Sequence, residues 1–288
     1  MHIGLIGAGL MGSGIAVNLL KHGHAVSVFA HRKRTNVDAL IDAGAQEARE
    51  LPAIARDCQV IMICVSTAEV VETIVGGLRP HLRAGQTIVD CGTSDPETTR
   101  RLAREMAHIG VHYADAPLTG GPEQAAKAQL GVLCGADDKT YAALMPLFQC
   151  FATTIRHFGP PGSGHTAKLI SNALVTGMVA LVAETFTAAR LAQIDWRDLY
   201  DVMLNGSGNS GVLRKMVGPA LDGDFDGYKF SIANAAKDIG YYIDMAERLG
   251  CAGKLTEAIA ESFARAVETG HGGRNVSRLI DPALDEVT

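Results

Sequence analysis

The chain has 288 residues, 26 lysines and arginines against 31 aspartates and glutamates, a formal net charge of -5 and 47% hydrophobic residues. At roughly 100–200 residues per domain the length suggests about two domains, and the composition is globular rather than disordered, collagenous or coiled-coil. The acidic balance argues against a nucleic-acid partner, which requires a large basic surface.

In chain order, six short apolar runs at 2–6, 25–29, 60–65, 87–90, 111–114 and 130–134 are predicted strands, several of them rich in valine and isoleucine. Segments 10–22, 36–43, 68–75 and 95–109 between them are predicted helices. Ser94-Asp95-Pro96-Glu97 marks the start of the last one: Ser94 caps, Glu97 returns a bond, and Pro96 needs no N–H there. Such strand–helix alternation predicts a doubly wound parallel sheet.

The pattern changes at Gly159-Pro160-Pro161-Gly162, after which no convincing strand is visible. Residues 163–192 contain no proline and read as one long helix. Further helices are predicted at 196–204, 210–217, 232–249 and 254–268, with Gly250 and Gly270 placed to end the last two. The expected architecture is an α/β domain over residues 1–161, then an all-α domain over 162–288 for substrate binding and oligomerisation.

No apolar stretch is expected to reach the ~18–20 residues of a membrane span. The longest, 173–183, is broken by Thr176 and Gly177, so no membrane partner is expected. The opening MHIGLIGAG lacks the parts of a signal peptide. Cys58, Cys64, Cys91, Cys134, Cys150 and Cys251 form no CxxC pair. They read as small core residues; no metal site is expected, and the cytoplasm is the expected compartment.

Gly7-Ala8-Gly9-Leu10-Met11-Gly12 fits G-x-G-x-x-G between a predicted strand and a predicted helix. Gly7 permits the tight turn, Gly9 lets the backbone approach a pyrophosphate, and Gly12 lets helix and strand pack closely. The helix start at Leu10 and Met11 attracts the anion. The first domain therefore reads as a Rossmann-type dinucleotide-binding domain. NAD-binding versions carry an acidic residue ~20 positions on. Here that region holds His31, Arg32, Lys33 and Arg34 and no carboxylate. An arginine fork suits a 2′-phosphate, so NADP(H) is the expected cofactor, with NAD(H) as the alternative.

Two further segments carry chemistry. In Asp115-Ala116-Pro117-Leu118-Thr119-Gly120-Gly121-Pro122, the backbone N–H groups of a Thr-Gly-Gly turn and the Thr119 hydroxyl can hold a carboxylate. In Gly162-Ser163-Gly164-His165-Thr166-Ala167-Lys168-Leu169-Ile170-Ser171-Asn172, Lys168 and Asn172 lie four apart and share one helix face. Lys168 can serve as a general acid or base there, and Asn172 can orient a substrate hydroxyl.

Together these motifs resemble the β-hydroxyacid dehydrogenases, which include 3-hydroxyisobutyrate dehydrogenase and tartronate semialdehyde reductase. Residues 4–12 resemble the family's cofactor turn, 115–121 its D-A-P-V-S-G-G motif, and 162–172 its G-x-G-x-x-x-K-x-x-x-N motif. Lys237-Asp238 is similar to its late K-D pair. The resemblance implies that Lys168 is catalytic, that Asn172 positions the substrate, and that Thr119, Gly120 and Gly121 bind its carboxylate. It further implies that Val65, Ser66, Thr67, Thr93 and Lys237 lie along the cofactor. The substrate would be a small carboxylate-bearing 3-hydroxy acid or its semialdehyde, and the assembly a homodimer or homotetramer. Pro122-Glu123-Gln124 and Ala128 depart from the family pattern, which has small residues and a glycine there. Rival readings are an imine reductase, whose relatives commonly replace the lysine, and a non-catalytic dinucleotide-binding module.

Overall fold

The computed structural model describes residues 1–29 and 34–287. The chain divides into two compact units, Met1–Lys168 and Leu169–Thr288.

The first unit is built on one nine-stranded sheet. Its strands are β1 (His2–Ile6), β2 (Ala25–Phe29), β3 (Gln46–Ala48), β4 (Val60–Ile63), β5 (Thr87–Asp90), β6 (His112–Asp115), β7 (Leu118–Thr119), β8 (Leu130–Gly135) and β9 (Ala152–Gly159). The order is β3-β2-β1-β4-β5-β6-β8-β7, with β9 beside β8. From β3 to β6 every pairing is parallel, whereas β8 runs antiparallel to β6 and β7. The sheet is therefore mixed at one end rather than parallel throughout.

The continuous apolar runs arise because both faces are covered. Ile3, Leu5, Val60, Met62 and Val89 join one core cluster, while Ile6, Ile61, Ile63 and Ile88 join the other. Helices α1 (Leu10–Lys21), α2 (Thr35–Asp42), α3 (Leu51–Asp57), α4 (Ala68–Leu78), α5 (Pro96–Ala107), α6 (Pro122–Ala126) and α7 (Asp138–Phe148) complete the layers. The strand order reverses between β1 and β4, so the crevice at their carboxyl ends is the expected dinucleotide position.

Several elements had no sequence signal. β3 and β7 are too short to show periodicity, and most β9 side chains are not buried, so it lacks an apolar run. α4 runs through Gly76 and Gly77 to the fully buried Leu78, whose burial outweighs the ~1 kcal/mol helix cost of each glycine. Asp95, not Ser94, caps α5 by accepting the Thr98 N–H at 2.9 Å; Ser94 is buried, and Glu97 pairs with Arg100 instead of closing a capping box.

Ala128, where the family pattern has glycine, adopts the left-handed conformation at φ +57°. That costs an alanine ~1–2 kcal/mol, and glycine's greater freedom in the unfolded chain offsets part of the relief. Ala128→Gly is expected to stabilise the first unit by about 0.5–1 kcal/mol, read as a higher urea midpoint with unchanged slope. An unchanged or lower midpoint would contradict this.

The second unit is helical. α8 (Ser163–Leu191) begins in the first unit and continues here, followed by α9 (Trp196–Leu204), α10 (Gly211–Ala220), α11 (Ile232–Arg248) and α12 (Lys254–Ala266). Gly250, just past the cap of α11, is left-handed at φ +71° as a helix-ending glycine is, whereas Gly270, at φ +87°, kinks the helical turn Val267–His271 that follows α12 rather than ending α12 itself. Among the described residues of this unit no strand forms; Ser231 and Asn275 make an isolated bridge. Val179, Phe186, Val212, Met216, Ile239 and Phe263 anchor its core.

α8 corrects one sequence expectation. By length and composition it suffices to cross a membrane, with a mean hydropathy of 1.6 over its most apolar 18 residues. Counting uninterrupted apolar residues missed this, because Thr176 and Gly177 interrupt a run without much lowering an average. Its Val179 and Phe186 are fully buried in the second unit's core. The six cysteines are free thiols. Cys251 is exposed, unlike the other five, because it lies just beyond the end of α11.

Candidate active site

The turn after β1 has the geometry its glycines predict. Gly7 is left-handed at φ +102°, and a Cβ there would collide with the Cys64 carbonyl. A Cβ on Gly12 would collide with the Gly7 carbonyl. A Cβ on Gly9 would meet nothing within 4 Å. Gly7 and Gly12 are thus required by the protein itself, while Gly9 leaves open space at the helix start. Gly9 is the N-cap of α1; no side chain caps it, and no acidic residue lies in the first turn. An uncapped helix start without a carboxylate can hold a pyrophosphate, so the residues fit the cofactor that the sequence implies.

Around the turn, Asn36 Nδ2 donates to the Ala8 carbonyl at 2.9 Å and ties the start of α2 to it. Arg34 donates to both carboxylate oxygens of Glu47, at 2.8 and 3.3 Å, and to Asp38 at 3.1 Å. These carboxylates hold its guanidinium proton more firmly still. His31, Arg32 and Lys33 lie outside the described residues. Val65 and Ser66 follow β4, and Thr67 caps α4 through Oγ1. A Cβ on Gly92 would stand 2.7 Å from the Val65 carbonyl, so the loop carrying Thr93 packs directly on the loop after β4.

The start of α8 is fastened to the sheet. Asp115, fully buried at the end of β6, accepts the Gly162 N–H at 2.7 Å and the His165 N–H at 2.6 Å. A Cβ on Gly164 would stand 2.9 Å from both Asp115 Oδ2 and the Gly135 nitrogen, which is why the position takes glycine. Burial pushes the Asp115 carboxyl up to about 6, against the pull of these backbone donors. Lys168 is half-buried on this anchored helix start. One turn on, Asn172 Nδ2 donates to Asp238 Oδ2 at 2.6 Å. A carboxylate only accepts, so the Asn172 amide is oriented with its nitrogen toward Asp238. Lys237 Nζ lies 2.8 Å from Asp238 Oδ1 and 5.1 Å from the Tyr241 ring centroid.

At the Thr-Gly-Gly turn, Thr119 faces Gly131 of β8, and that glycine leaves the room taken by Thr119 Oγ1. Gly120 is left-handed at φ +104°. The Gly121 N–H donates to Gln124 Oε1 at 2.9 Å, so a side chain of this chain already engages one of the donors expected to meet a carboxylate.

Sequence reasoning missed four residues of this arrangement. Asp90, at the head of Asp90-Cys91-Gly92-Thr93, and Asp115, His165 and Asp238 each stood inside a recognised motif without a role. The available signal was a charged residue within a predicted apolar strand end or helix face. Only the fold reveals that Asp90 Oδ1 accepts the Gly92 N–H at 2.9 Å and that Asp115 holds α8.

A family model described as the NAD binding domain of 6-phosphogluconate dehydrogenase matches residues 2–159. A second, described as the NAD-binding domain of NADP-dependent 3-hydroxyisobutyrate dehydrogenase, matches residues 162–283. The chain is 28% identical over 282 residues to 2-(hydroxymethyl)glutarate dehydrogenase of Eubacterium barkeri, covering 96% of this chain and 93% of that one. It is 27% identical over 293 residues to the NAD-dependent L-serine dehydrogenase of Pseudomonas aeruginosa, covering 97% and 98%. The solved structure of Mycobacterium tuberculosis 3-hydroxyisobutyrate dehydrogenase with L-serine superposes with a TM-score of 0.87 at 26% identity, covering 97% of each chain.

Proposed function

This chain belongs to the NAD(P)-dependent β-hydroxyacid dehydrogenase family, and on that premise we propose that it oxidises or forms a small 3-hydroxy acid of the 3-hydroxyisobutyrate type with Lys168 as general acid and base. The observation that carries this reading is the half-buried Lys168 on a helix start fastened by Asp115, one turn before an Asn172 oriented by Asp238.

In this reading Thr119 and Gly120 hold the substrate carboxylate, and Gly121 joins them when its N–H leaves Gln124. Asn172 positions the hydroxyl on the β-carbon. Neutral Lys168 takes the hydroxyl proton in oxidation, and its ammonium returns a proton to the carbonyl oxygen in reduction. When bound, the nicotinamide supplies the hydride acceptor or donor. Gly7, Gly9, Leu10, Met11 and Gly12 would hold its pyrophosphate, with Val65, Ser66, Thr67, Thr93 and Lys237 along the rest of the cofactor.

We read NADP(H) as the preferred cofactor because 31–34 is basic. Glu47 and Asp38 around Arg34 weigh on the other side, since a 2′-phosphate would compete with them for the guanidinium. We also read residues 1–161 as the dinucleotide domain and 162–288 as the substrate and oligomerisation domain. Ile170, Leu174 and Leu181 are exposed on one stripe of α8, which supports a homodimer or homotetramer.

The test is a panel of 3-hydroxyisobutyrate, serine, glycerate, threonate and a sulfonate analogue, each with NADP+ and NAD+. We expect turnover of at least one carboxylate, with a higher kcat/KM for NADP+. Cofactor binding without turnover across the panel would favour a non-catalytic module, and a higher kcat/KM for NAD+ would overturn the cofactor preference.

A further inference from the structure

His165 is a fully buried histidine that the mechanism above does not use. It lies on the first turn of α8, three residues before Lys168, and therefore on the neighbouring helix surface. Its ring meets three other elements of the first unit. Nδ1 is 2.8 Å from Thr99 Oγ1 on α5, and Nε2 is 3.3 Å from the Gly92 carbonyl in the loop after β5. Asp90 Oδ2, at the end of β5, is 3.9 Å from Nε2, and Asp115 Oδ2, at the end of β6, is 3.7 Å from Nδ1.

The hydrogen-bond chemistry constrains the proton count. A carbonyl only accepts, so the contact with Gly92 requires a hydrogen on Nε2. The Thr99 hydroxyl has one hydrogen and two acceptors within reach, Nδ1 at 2.8 Å and the Asp95 carbonyl at 3.2 Å, which also accepts the Thr99 N–H. Given to Nδ1, that hydrogen leaves a neutral ring; given to the Asp95 carbonyl, it makes Nδ1 a second donor and the ring an imidazolium. Two buried carboxylates stand within 4 Å of the ring, and a cation between them offsets their burial. The other charged groups nearby are Lys168 on the same helix, Asp95 at the cap of α5, and Arg100 of α5, which reaches Thr166 at 3.4 Å.

We propose that His165 is a positioning residue for Lys168, a buried imidazolium that donates to Thr99 and to the Gly92 carbonyl with Asp90 and Asp115 as counter-ions. It thereby ties the turn that presents Lys168 to the loop that carries Thr93 and to the strand that leads into Thr119–Gly121. All of these lie within the first unit, so the clamp acts without any contribution from the second. The kinetic consequence rests on the reading of Lys168 as the proton-transfer group; the charge state of His165 does not.

Two measurements on the full chain separate these parts. Long-range ¹H–¹⁵N spectra of the histidine-labelled, ligand-free protein at about pH 8, where an unperturbed imidazole is neutral, read the proton count directly. One ring with both nitrogens protonated is expected, and it should vanish in His165→Gln. A spectrum with only neutral rings, or with the doubly protonated ring still present in His165→Gln, overturns the assignment. In steady-state kinetics, His165→Ala is expected to lower kcat by about 10- to 100-fold, the scale of a ~1 Å misplacement, with cofactor KM within about twofold. His165→Gln, whose amide can still donate one bond, should recover part of the loss. A kcat within about twofold of the wild type in His165→Ala overturns the positioning role. If His165→Ala fails to fold, His165→Gln carries both measurements, with an intermediate kcat expected and an unchanged one contrary.

Discussion

Replacing Lys168 with alanine is expected to lower kcat by about 10²–10⁴-fold, the range that positioned general acids and bases supply. The cofactor turn at Gly7–Gly12 belongs to the β1–α1 unit rather than to α8, so cofactor affinity should stay within about threefold. The comparison that isolates proton transfer is Lys168→Arg. It keeps a long cationic side chain on α8, but its guanidinium stays protonated above pH 12 and cannot act as a base. If Lys168 only anchored the substrate by charge, arginine would retain much of the turnover. If it moves the proton, arginine should be nearly as impaired as alanine. Single-turnover measurements in both directions decide this, and turnover within about tenfold of the wild type in Lys168→Ala would refute the role.

The largest stability effect is expected at Asp115. Its two carboxylate oxygens accept the Gly162 and His165 N–H groups, at 2.7 and 2.6 Å, with no solvent access. Alanine removes both acceptors. Each orphaned buried N–H costs about 1–3 kcal/mol, and the side-chain volume is lost as well. A loss of about 3–5 kcal/mol from the first unit follows, a large share of the ~5–15 kcal/mol that holds a typical domain folded. Asparagine keeps the volume and one acceptor but turns its NH₂ group toward the other donor, so Asp115→Asn should lose about 1–3 kcal/mol. Chemical unfolding followed by a signal from the first unit measures both. A loss below about 1 kcal/mol in Asp115→Ala would show that the start of α8 is held by something else.

Much of this site was legible because its residues are constrained locally. Gly7, Gly9 and Gly12 sit at fixed offsets in one strand–turn–helix unit; Gly7 and Gly12 each have a separate steric reason, and Gly9 leaves open space at the helix start. Lys168 and Asn172 need only one helical turn to share a face. The partners that orient them were not legible, because they come from distant segments. Asp115 is 50 residues from His165, and Asp238 is 66 residues from Asn172. Gln124, by contrast, is a local partner: three residues after the N-cap Gly121 of α6, its side chain reaches back to the Gly121 N–H as in a capping box.

The amino-acid pattern alone was enough to determine an α/β half followed by a helical half, the dinucleotide turn, and a lysine and an asparagine on one helix face. Periodicity, glycine spacing and turn chemistry are properties of neighbouring residues and survive in one dimension. The tertiary structure decided the antiparallel β7–β8 pairing, the weakly buried β9, the carboxylates around Arg34, and the packing of Asp90 and Asp115 against His165. These depend on strand order and on which charged side chains burial forces together. That pairing is settled only when the sheet assembles, because a buried carboxylate must find its donor or counter-ion wherever the fold brings one.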